Sequence, residues 1–293
     1  MDLNIKSKNI VKQLSIAFVA IILTACQPDK LGEGNGLSDS NVDASFTITP
    51  IEGVVNRYLL ESETTNVIAS KWDIGEGSYF GKIKEEIFLP DAGTYTIIHT
   101  SIGRGGKSNS TSLELVVAES DPVAGNIVEG GKFVDATDHA KWTVLPISAS
   151  GATWTFNQGS ATIHSDGGWA QQGIYQAIEV IKDKEYTIDM LVSGKTFNET
   201  WFEVYAGTSL PVGGQEYGDN KVMGLSTWDG CATAPFSGRL SVVGCVKNSS
   251  TDTVSNVVKF DTSGTIYLVI RSGGNVFHPD GITVTNIEMR GKS

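Results

Sequence analysis

Residues 200–206 read TWFEVYA, and this stretch decides how the chain folds. Successive side chains of a β-strand point to opposite faces of the sheet. Phe202, Val204 and Ala206 then form one apolar face, and Trp201, Glu203 and Tyr205 form the other. Because a glutamate between two aromatic rings does not belong in a core without a partner, the stretch predicts a strand with one buried and one open face.

The same alternation recurs in residues 169–178 (WAQQGIYQAI), 266–271 (IYLVIR) and 185–191 (EYTIDML). Their apolar sets include Ala170, Ile174, Ile178, Ile266, Leu268, Ile270, Ile188 and Met190. Their other faces include Trp169, Gln171, Tyr175, Tyr267, Val269, Arg271 and Asp189. Trp228 lies in a loop-like stretch, TWDGCATAP. Several strands are therefore expected to offer aromatic rings interleaved with polar groups.

Such a face suits a sugar. The C–H face of a pyranose ring can lie on an aromatic ring, while amide, carboxylate and guanidinium groups hydrogen-bond its hydroxyls. The predicted carbohydrate-binding residues are Trp169, Gln171, Tyr175, Asp189, Trp201, Glu203, Tyr205, Trp228 and Arg271. The alternative is that Trp169, Trp201 and Tyr205 pack under loops or against another domain. Trp142 and Trp154, flanked by strand-like apolar residues, are expected in the core.

Helical periodicity is absent, and short strands between turn residues predict an all-β chain of two domains. In residues 43–118, KWDIGEG (71–77) resembles the W-D-F-G-D-G signature of polycystic-kidney-disease (PKD) domains, and DAGTYTI (91–97) resembles their G-T-Y-T-V strand. The resemblance implies a small immunoglobulin-like sandwich that acts as a spacer, with Trp72 in its core. Residues 119–125 are a predicted linker.

Residues 126–293 carry NIVEGGKF (126–133), Trp142, GWAQQGIYQAI (168–178), EYTIDMLVSG (185–194) and a final GITVTNIEMRG (281–291). This order resembles carbohydrate-binding modules of families 4, 9 and 22, which implies a larger jelly-roll β-sandwich. The resemblance also implies a structural calcium ion, for which Asp135 and Asp280 are the candidate metal ligands. Val134 stands where the family has an acidic residue.

The N-terminus predicts export and anchoring. Three lysines precede the apolar residues 14–25, a run too short to span a bilayer, as in a secretory signal peptide at 1–25. LTAC (23–26) resembles a bacterial lipobox, which implies lipidation of Cys26. With Gln27 following it, the resemblance implies an anchor in the outer membrane that faces the cell exterior. An ordinary signal peptide with an incidental cysteine is the alternative. Residues 26–42, rich in Gly, Ser and Asp, predict a flexible tether.

The net charge bears on the class of partner, and the cysteine count bears on the presence of a disulfide. Removing residues 1–25 takes three lysines and one aspartate from 22 basic and 33 acidic residues, which leaves 19 and 32 and a net charge of −13. This balance argues against nucleic acid as a partner. Cys231 and Cys245 form an even pair in an exported chain and predict a disulfide, with two free thiols as the alternative.

Catalysis is not expected. Glycosidases generally use two carboxylates that flank the scissile bond, and the paired E-x-D-x-E patterns of jelly-roll glycanases are absent from the sequence. The architecture resembles accessory lipoproteins of starch-utilisation-type uptake systems. That resemblance implies binding of a polysaccharide, with a β-glucan such as laminarin favoured, near an outer-membrane transporter complex. A protein–protein or adhesin module that docks through the same aromatic residues is the alternative.

Overall fold

A computed structural model describes residues 42–75 and 77–292. The predicted signal peptide, Cys26, the tether except for its last residue, and Glu76 of the KWDIGEG stretch lie outside the described residues. The described chain divides into two compact units. The first comprises residues up to 52 with 57–87 and 95–115, and the second comprises 53–56, 88–94 and 116–293. Within the described ranges, no helix has the length and apolar character needed to cross a membrane.

Among the described residues, the first unit contains seven strands and one 3₁₀ turn. The strands are β1 (Phe46–Pro50), β2 (Arg57–Ser62), β3 (Ala69–Asp73), β4 (Tyr79–Gly81), β5 (Lys84–Phe88), β6 (Gly93–Ile102) and β7 (Ser108–Val117), with the turn at Arg104–Gly106. They form a three-stranded sheet, β1-β2-β5, and a four-stranded sheet, β4-β3-β6-β7.

Trp72 lies in the core of this unit, as the sequence predicts. Its side chain is fully buried, its ring lies 4.1 Å from that of His99, and Phe46 meets it edge-on at 5.3 Å. The indole Nε1 donates to the carbonyl of Lys82 at 2.8 Å, so the one polar atom of this buried side chain has a partner.

The second unit contains eleven strands in two sheets. The strands are β8 (Thr143–Leu145), β9 (Ala152–Asn157), β10 (Ser160–Ser165), β11 (Ala170–Val180), β12 (Glu185–Gly194), β13 (Asn198–Gly207), β14 (Lys221–Ser226), β15 (Phe236–Arg239), β16 (Val257–Lys259), β17 (Gly264–Val276) and β18 (Ile282–Gly291). Sheet I has the order β15-β12-β18-β10-β9, with β16 also paired to β12, and sheet II has the order β14-β13-β17-β11-β8. One-turn helices occur at Ala136–His139 and Leu240–Val243.

The apolar faces of both sheets meet in one core. The alternation seen in TWFEVYA is confirmed, because Phe202, Val204 and Ala206 are all fully buried there. The predicted apolar sets of the other strands join them, as do Trp142 and Trp154. Burial of each large side chain stabilises the fold by roughly 1.5–3 kcal/mol. The chain is therefore all-β, with the larger unit a β-sandwich.

A disulfide joins Cys231 to Cys245, with the Cα atoms 5.9 Å apart. The prediction of a bonded pair is confirmed, and the free-thiol alternative is wrong. A bond that closes a loop of this length stabilises a protein by about 3 kcal/mol. It fixes the segment that follows β14, which carries Trp228 shortly before Cys231.

Candidate functional site

The outward face of sheet II brings most of the predicted residues together. In the register of the sheet, Gly273 of β17 pairs with Gln171 of β11 on one side and with Trp201 of β13 on the other. Arg271, two residues earlier on the same face, pairs with Glu203. A Cβ at Gly273 would lie 2.6 Å from the Cβ of Gln171, so only glycine fits there. The absence of a side chain leaves space between Gln171 and Trp201.

Three tryptophans gather at one end of this face, and we call Trp169, Trp201 and Trp228 the tryptophan trio. Their ring centroids are 6.4, 6.2 and 6.3 Å apart, and the ring planes differ by 17–38°. Trp169 is 50% exposed and Trp228 is 58% exposed, whereas Trp201 is partly buried between them and the sheet. Trp169 and Trp228 thus each expose at least half of their surface to solvent, and the alternative that Trp169 packs under a loop is wrong.

Trp169 is held in a backbone conformation that L-residues rarely adopt. It follows Gly167 and Gly168, and its own φ is 68°. Its amide donates to the carbonyl of Gly274 at 2.9 Å, which ties the turn to β17. A left-handed conformation at a residue with a side chain is unfavourable by about 1–2 kcal/mol. The fold therefore holds this exposed ring in place at the expense of stability.

A threonine precedes each of Trp201 and Trp228, and hydrogen bonds between Thr200 and Thr227 hold the two tryptophans side by side. The amide of Thr200 donates to Oγ1 of Thr227 at 3.1 Å, and the amide of Thr227 donates to the carbonyl of Thr200 at 3.1 Å. The Trp201 Nε1 is buried without a hydrogen-bond partner among the described residues. Its indole therefore contributes packing to the trio and leaves a donor unused.

A second group on the same face, which we call the arginine network, centres on Arg271. The guanidinium donates to the Tyr205 hydroxyl at 2.9 and 3.3 Å, to Glu203 at 3.0 Å and to the Gln171 amide oxygen at 3.2 Å. It also forms an ion pair with Glu216 at 3.4 Å. Each of its three nitrogens has a protein partner, so Arg271 holds the network together.

The remaining members of the network are also paired. The Tyr205 hydroxyl donates to Glu203 at 2.6 Å, the Gln171 amide donates to Glu216, and Lys221 lies 3.3 Å from Glu203. Burial by itself would lower the pKa of Arg271, but Tyr205 and Glu203 raise it above its ordinary value. Burial and the charge of Glu203 raise the pKa of Tyr205, so its hydroxyl keeps the proton that it donates.

The Tyr205 ring is buried, which corrects its prediction as a sugar-contact residue. It is only 3% exposed, because a small apolar cluster on the outer face, with Leu145, Tyr217 and Val269, covers it. The Tyr217 ring meets it edge-on at 5.7 Å. Tyr175 packs against the same cluster and stays partly exposed. Tyr205 therefore supports the face and does not offer it a contact surface.

Asp189 lies elsewhere, which corrects a second part of the prediction. It belongs to β12 of sheet I, and its carboxylate accepts from the amide and hydroxyl of Ser241 at 3.1 and 2.6 Å. Alternation along a strand tells which residues share a face, but it does not tell which sheet the strand joins. Asp189 is therefore separated from the tryptophan trio.

Glu216 and Lys221 are functional candidates that sequence reasoning missed. Glu216 lies in the loop between β13 and β14, and its side chain is 65% exposed beside Gln171 and Arg271. The hydrogen bond from Gln171 and the positive charge of Arg271 lower the pKa of Glu216. The Gly-rich sequence GGQEYGDN marks a turn, but it gives no sign that the turn folds back over the sheet.

The two candidate calcium ligands are Asp135 and Asp280. Oδ1 of Asp135 accepts from the amides of Thr137 and Asp138, so this carboxylate caps the helix Ala136–His139, and both bonds lower its pKa. Asp280 lies in an exposed loop. Among the described residues, no three His, Cys, Asp or Glu side chains are grouped to hold a metal ion. Calcium binding therefore stays a prediction.

Comparisons with known proteins give only distant structural similarities. No protein family and no curated protein matches it. A structure from a study of promiscuous carbohydrate-binding modules of the β-sandwich superfamily is 14% identical, covering 86% of this chain and 99% of that one, with a TM-score of 0.31. A CBM4 structure is 13% identical over 56% and 99%, with a TM-score of 0.33. A bacteriophage CBA120 tailspike domain is 12% identical over 60% and 23%, with a TM-score of 0.32. At these values, the matches do not identify a ligand.

Proposed function

We propose that this protein binds polysaccharide through the tryptophan trio. The observation that carries the proposal is the exposure of Trp169 and Trp228 with ring planes 21° apart, next to hydrogen-bonding groups on the same sheet. Monomeric proteins rarely leave clustered large apolar groups exposed unless they mark a binding surface. The C–H face of a pyranose ring stacks on indole, and two neighbouring exposed rings can contact more than one sugar unit of a chain.

The arginine network supplies the polar side of the contact. Glu216 is exposed and accepts hydrogen bonds, while Gln171 and Lys221 lie beside it. Arg271 and Lys221 balance Glu203 and Glu216, so the network has no net charge. A balanced face within an acidic chain favours an uncharged polysaccharide, and a β-glucan such as laminarin is the ligand we favour.

The rest of the chain fits delivery at a cell surface. A lipid on Cys26 would anchor the protein in the outer membrane, residues 26–42 would act as a tether, and the first unit would act as a PKD-type spacer. The module would then concentrate polysaccharide for an uptake complex.

We propose that binding occurs without catalysis. A glycosidase acid needs a raised pKa, whereas the pKa of Glu216 is lowered by Gln171. Glu203 is tied to Arg271 and Lys221, and Asp189 lies in the other sheet. These carboxylates do not form an acid–nucleophile pair.

Affinity electrophoresis against a polysaccharide panel tests the proposal. Laminarin or a related neutral glucan should retard the wild type, and the Trp169→Ala/Trp228→Ala variant should migrate as it does without polysaccharide. Phe80→Ala, which removes an exposed ring from the first unit, is the control and should be retarded like the wild type. If no polysaccharide retards the wild type, and it instead captures an outer-membrane protein through the same tryptophans, the protein–protein alternative replaces this function.

A further inference from the structure

A cleft of about 430 Å³ opens on sheet I, the sheet that does not carry the tryptophan trio. We call it the sheet I cleft. It is bordered by the end of β12, the start of β15 and the loop that enters β18. Its volume falls within the range of small-molecule sites, which is about 300–1,000 Å³. None of the residues predicted for sugar contact lines it.

Two glycines help to shape this cleft. A Cβ at Gly194 would lie 2.7 Å from the ring of Phe236, and a Cβ at Gly281, whose φ is 73°, would lie 2.3 Å from the carbonyl of Ile163. Side chains at these positions would displace the Phe236 ring or the backbone of β10. The concave surface therefore depends on residues that lack side chains.

The side chains of the cleft offer one aromatic ring and both kinds of hydrogen-bonding group. They are Phe236, the ammonium of Lys195, the carboxylate of Asp280 and the hydroxyls of Ser193, Ser237 and Thr283. Within the described ranges, Lys195, Ser193 and Ser237 make no side-chain hydrogen bond or ion pair. Several donors and acceptors are thus available to a ligand.

The charges in the cleft favour a neutral ligand. Lys195 would oppose a cation, and Asp280 would oppose an anion. The Asp280 amide donates to Nδ1 of His278 at 3.1 Å, and one oxygen of the Asp280 carboxylate lies 3.8 Å from the same nitrogen. A neutral molecule with many hydroxyls can use the ammonium as a donor, the carboxylate as an acceptor and the Phe236 ring as an apolar surface.

We propose that the sheet I cleft is a second carbohydrate site, which takes one or two neutral sugar units, such as the end or a branch of a chain. This proposal extends the proposed function and rests on it for the class of ligand. The cleft and the trio are linked by one segment of chain, because Trp228 and Phe236 flank Cys231, and the Ala232 carbonyl accepts from the Phe197 amide at 2.9 Å. A module with two sites can hold a polysaccharide more tightly than either site alone.

NMR chemical-shift mapping of the full chain in detergent tests the proposal, with laminaribiose and cellobiose as probes at millimolar concentration. At least one disaccharide should shift the amide signals of residues 193–195, 235–237 and 280–283. These shifts should persist in Trp169→Ala/Trp228→Ala and disappear in Lys195→Ala/Asp280→Asn. Gly194→Ala, which places a methyl group against Phe236, should also abolish them. Lys259→Ala on β16, which pairs with the opposite end of β12, is the surface control.

The two hypotheses fail separately. If polysaccharide retards the trio variant as strongly as the wild type, and the shifts at the cleft persist, the role of the trio is overturned and the second site stands. No shift at the cleft with either disaccharide, or shifts that vanish with the trio variant, would overturn the second site. Shifts with glycine or sulfate but with neither sugar would also overturn it, because the ligand would then be charged. On affinity gels, the cleft variant should bind polysaccharide about tenfold more weakly than the wild type.

Discussion

On the outward face of sheet II, the tryptophan trio exposes two indole side chains to water, whereas the arginine network pairs its polar groups with one another. Trp169 and Trp228 are each at least half exposed, and Trp169 also occupies a left-handed conformation. Arg271, by contrast, is buried with partners for each of its nitrogens. The two regions lie on the same sheet and share strand β13, yet the trio exposes large rings to a ligand whereas the network exposes chiefly the carboxylate of Glu216.

The difference shows how a β-sheet can separate support from recognition. A buried charge must be paired, and an unpaired one destabilises the fold strongly, so the network has little freedom to change partners when a ligand arrives. An exposed ring on a strained backbone destabilises the free protein slightly, and only a bound ligand offsets that loss of stability. The network should therefore govern stability, and the trio should govern affinity.

Arg271→Ala should produce the largest effect. It leaves Glu203 partly buried with only Lys221 and Tyr205 as partners, so the free energy of unfolding should fall by about 3–5 kcal/mol. Urea denaturation measures this change. Lys292→Ala is the control, since both side chains of its ion pair with Glu185 are half exposed and the pair is worth about 1 kcal/mol at most. Equal losses in both variants would contradict the supporting role of the network.

Trp169→Ala should weaken polysaccharide binding about 10- to 100-fold, equivalent to about 1.4–2.7 kcal/mol. Trp169→Gly should weaken binding as much but unfold at a higher urea concentration than Trp169→Ala, because glycine accepts the φ of 68° without strain. Isothermal titration and urea denaturation measure the two effects. A Gly variant no more stable than the Ala variant would show that the backbone strain is absent.

Tyr205→Phe should reduce the free energy of unfolding by about 1–2 kcal/mol, since it removes an acceptor for Arg271 and a donor for Glu203. Affinity should stay within twofold, because the Tyr205 ring is buried. Tyr217→Phe is a matched control. Its hydroxyl is buried without a partner in the part of the chain that the structure describes, so its removal should leave stability unchanged or raise it. If Tyr217→Phe lost more unfolding free energy than Tyr205→Phe, the supporting role assigned to the Tyr205 hydroxyl would be wrong.

Glu216 should give the smallest effect, visible only in acid. The hydrogen bond from Gln171 lowers the pKa of Glu216 in the folded state below its ordinary value of 4.5. Its contribution to stability is therefore complete above pH 4.5 and is lost as the pH falls through the folded pKa. Urea midpoints between pH 6 and pH 3 should fall less steeply for Glu216→Gln than for the wild type. Glu114→Gln, at an exposed site of the first unit, should follow the wild type.

Much of the fold could be predicted because alternation is a local property. TWFEVYA and IYLVIR show which side chains face the core between the two sheets, and the structure confirms both inward sets. Local sequence also indicated that Trp72 is core and that Trp228 lies in a loop. It could not indicate that Glu216 folds back over Gln171, because the contact joins residues 45 positions apart.

The sequence by itself determined the all-β class, the inward and outward faces of the strands and the pairing of Cys231 with Cys245. These follow from backbone geometry and from a count of cysteines. Only the tertiary structure decided that Asp189 joins the other sheet, that Tyr205 is covered and that three tryptophans from separate segments meet. Such placements depend on which strands become neighbours, and that choice is made by packing across the whole sandwich and not by any one stretch of chain.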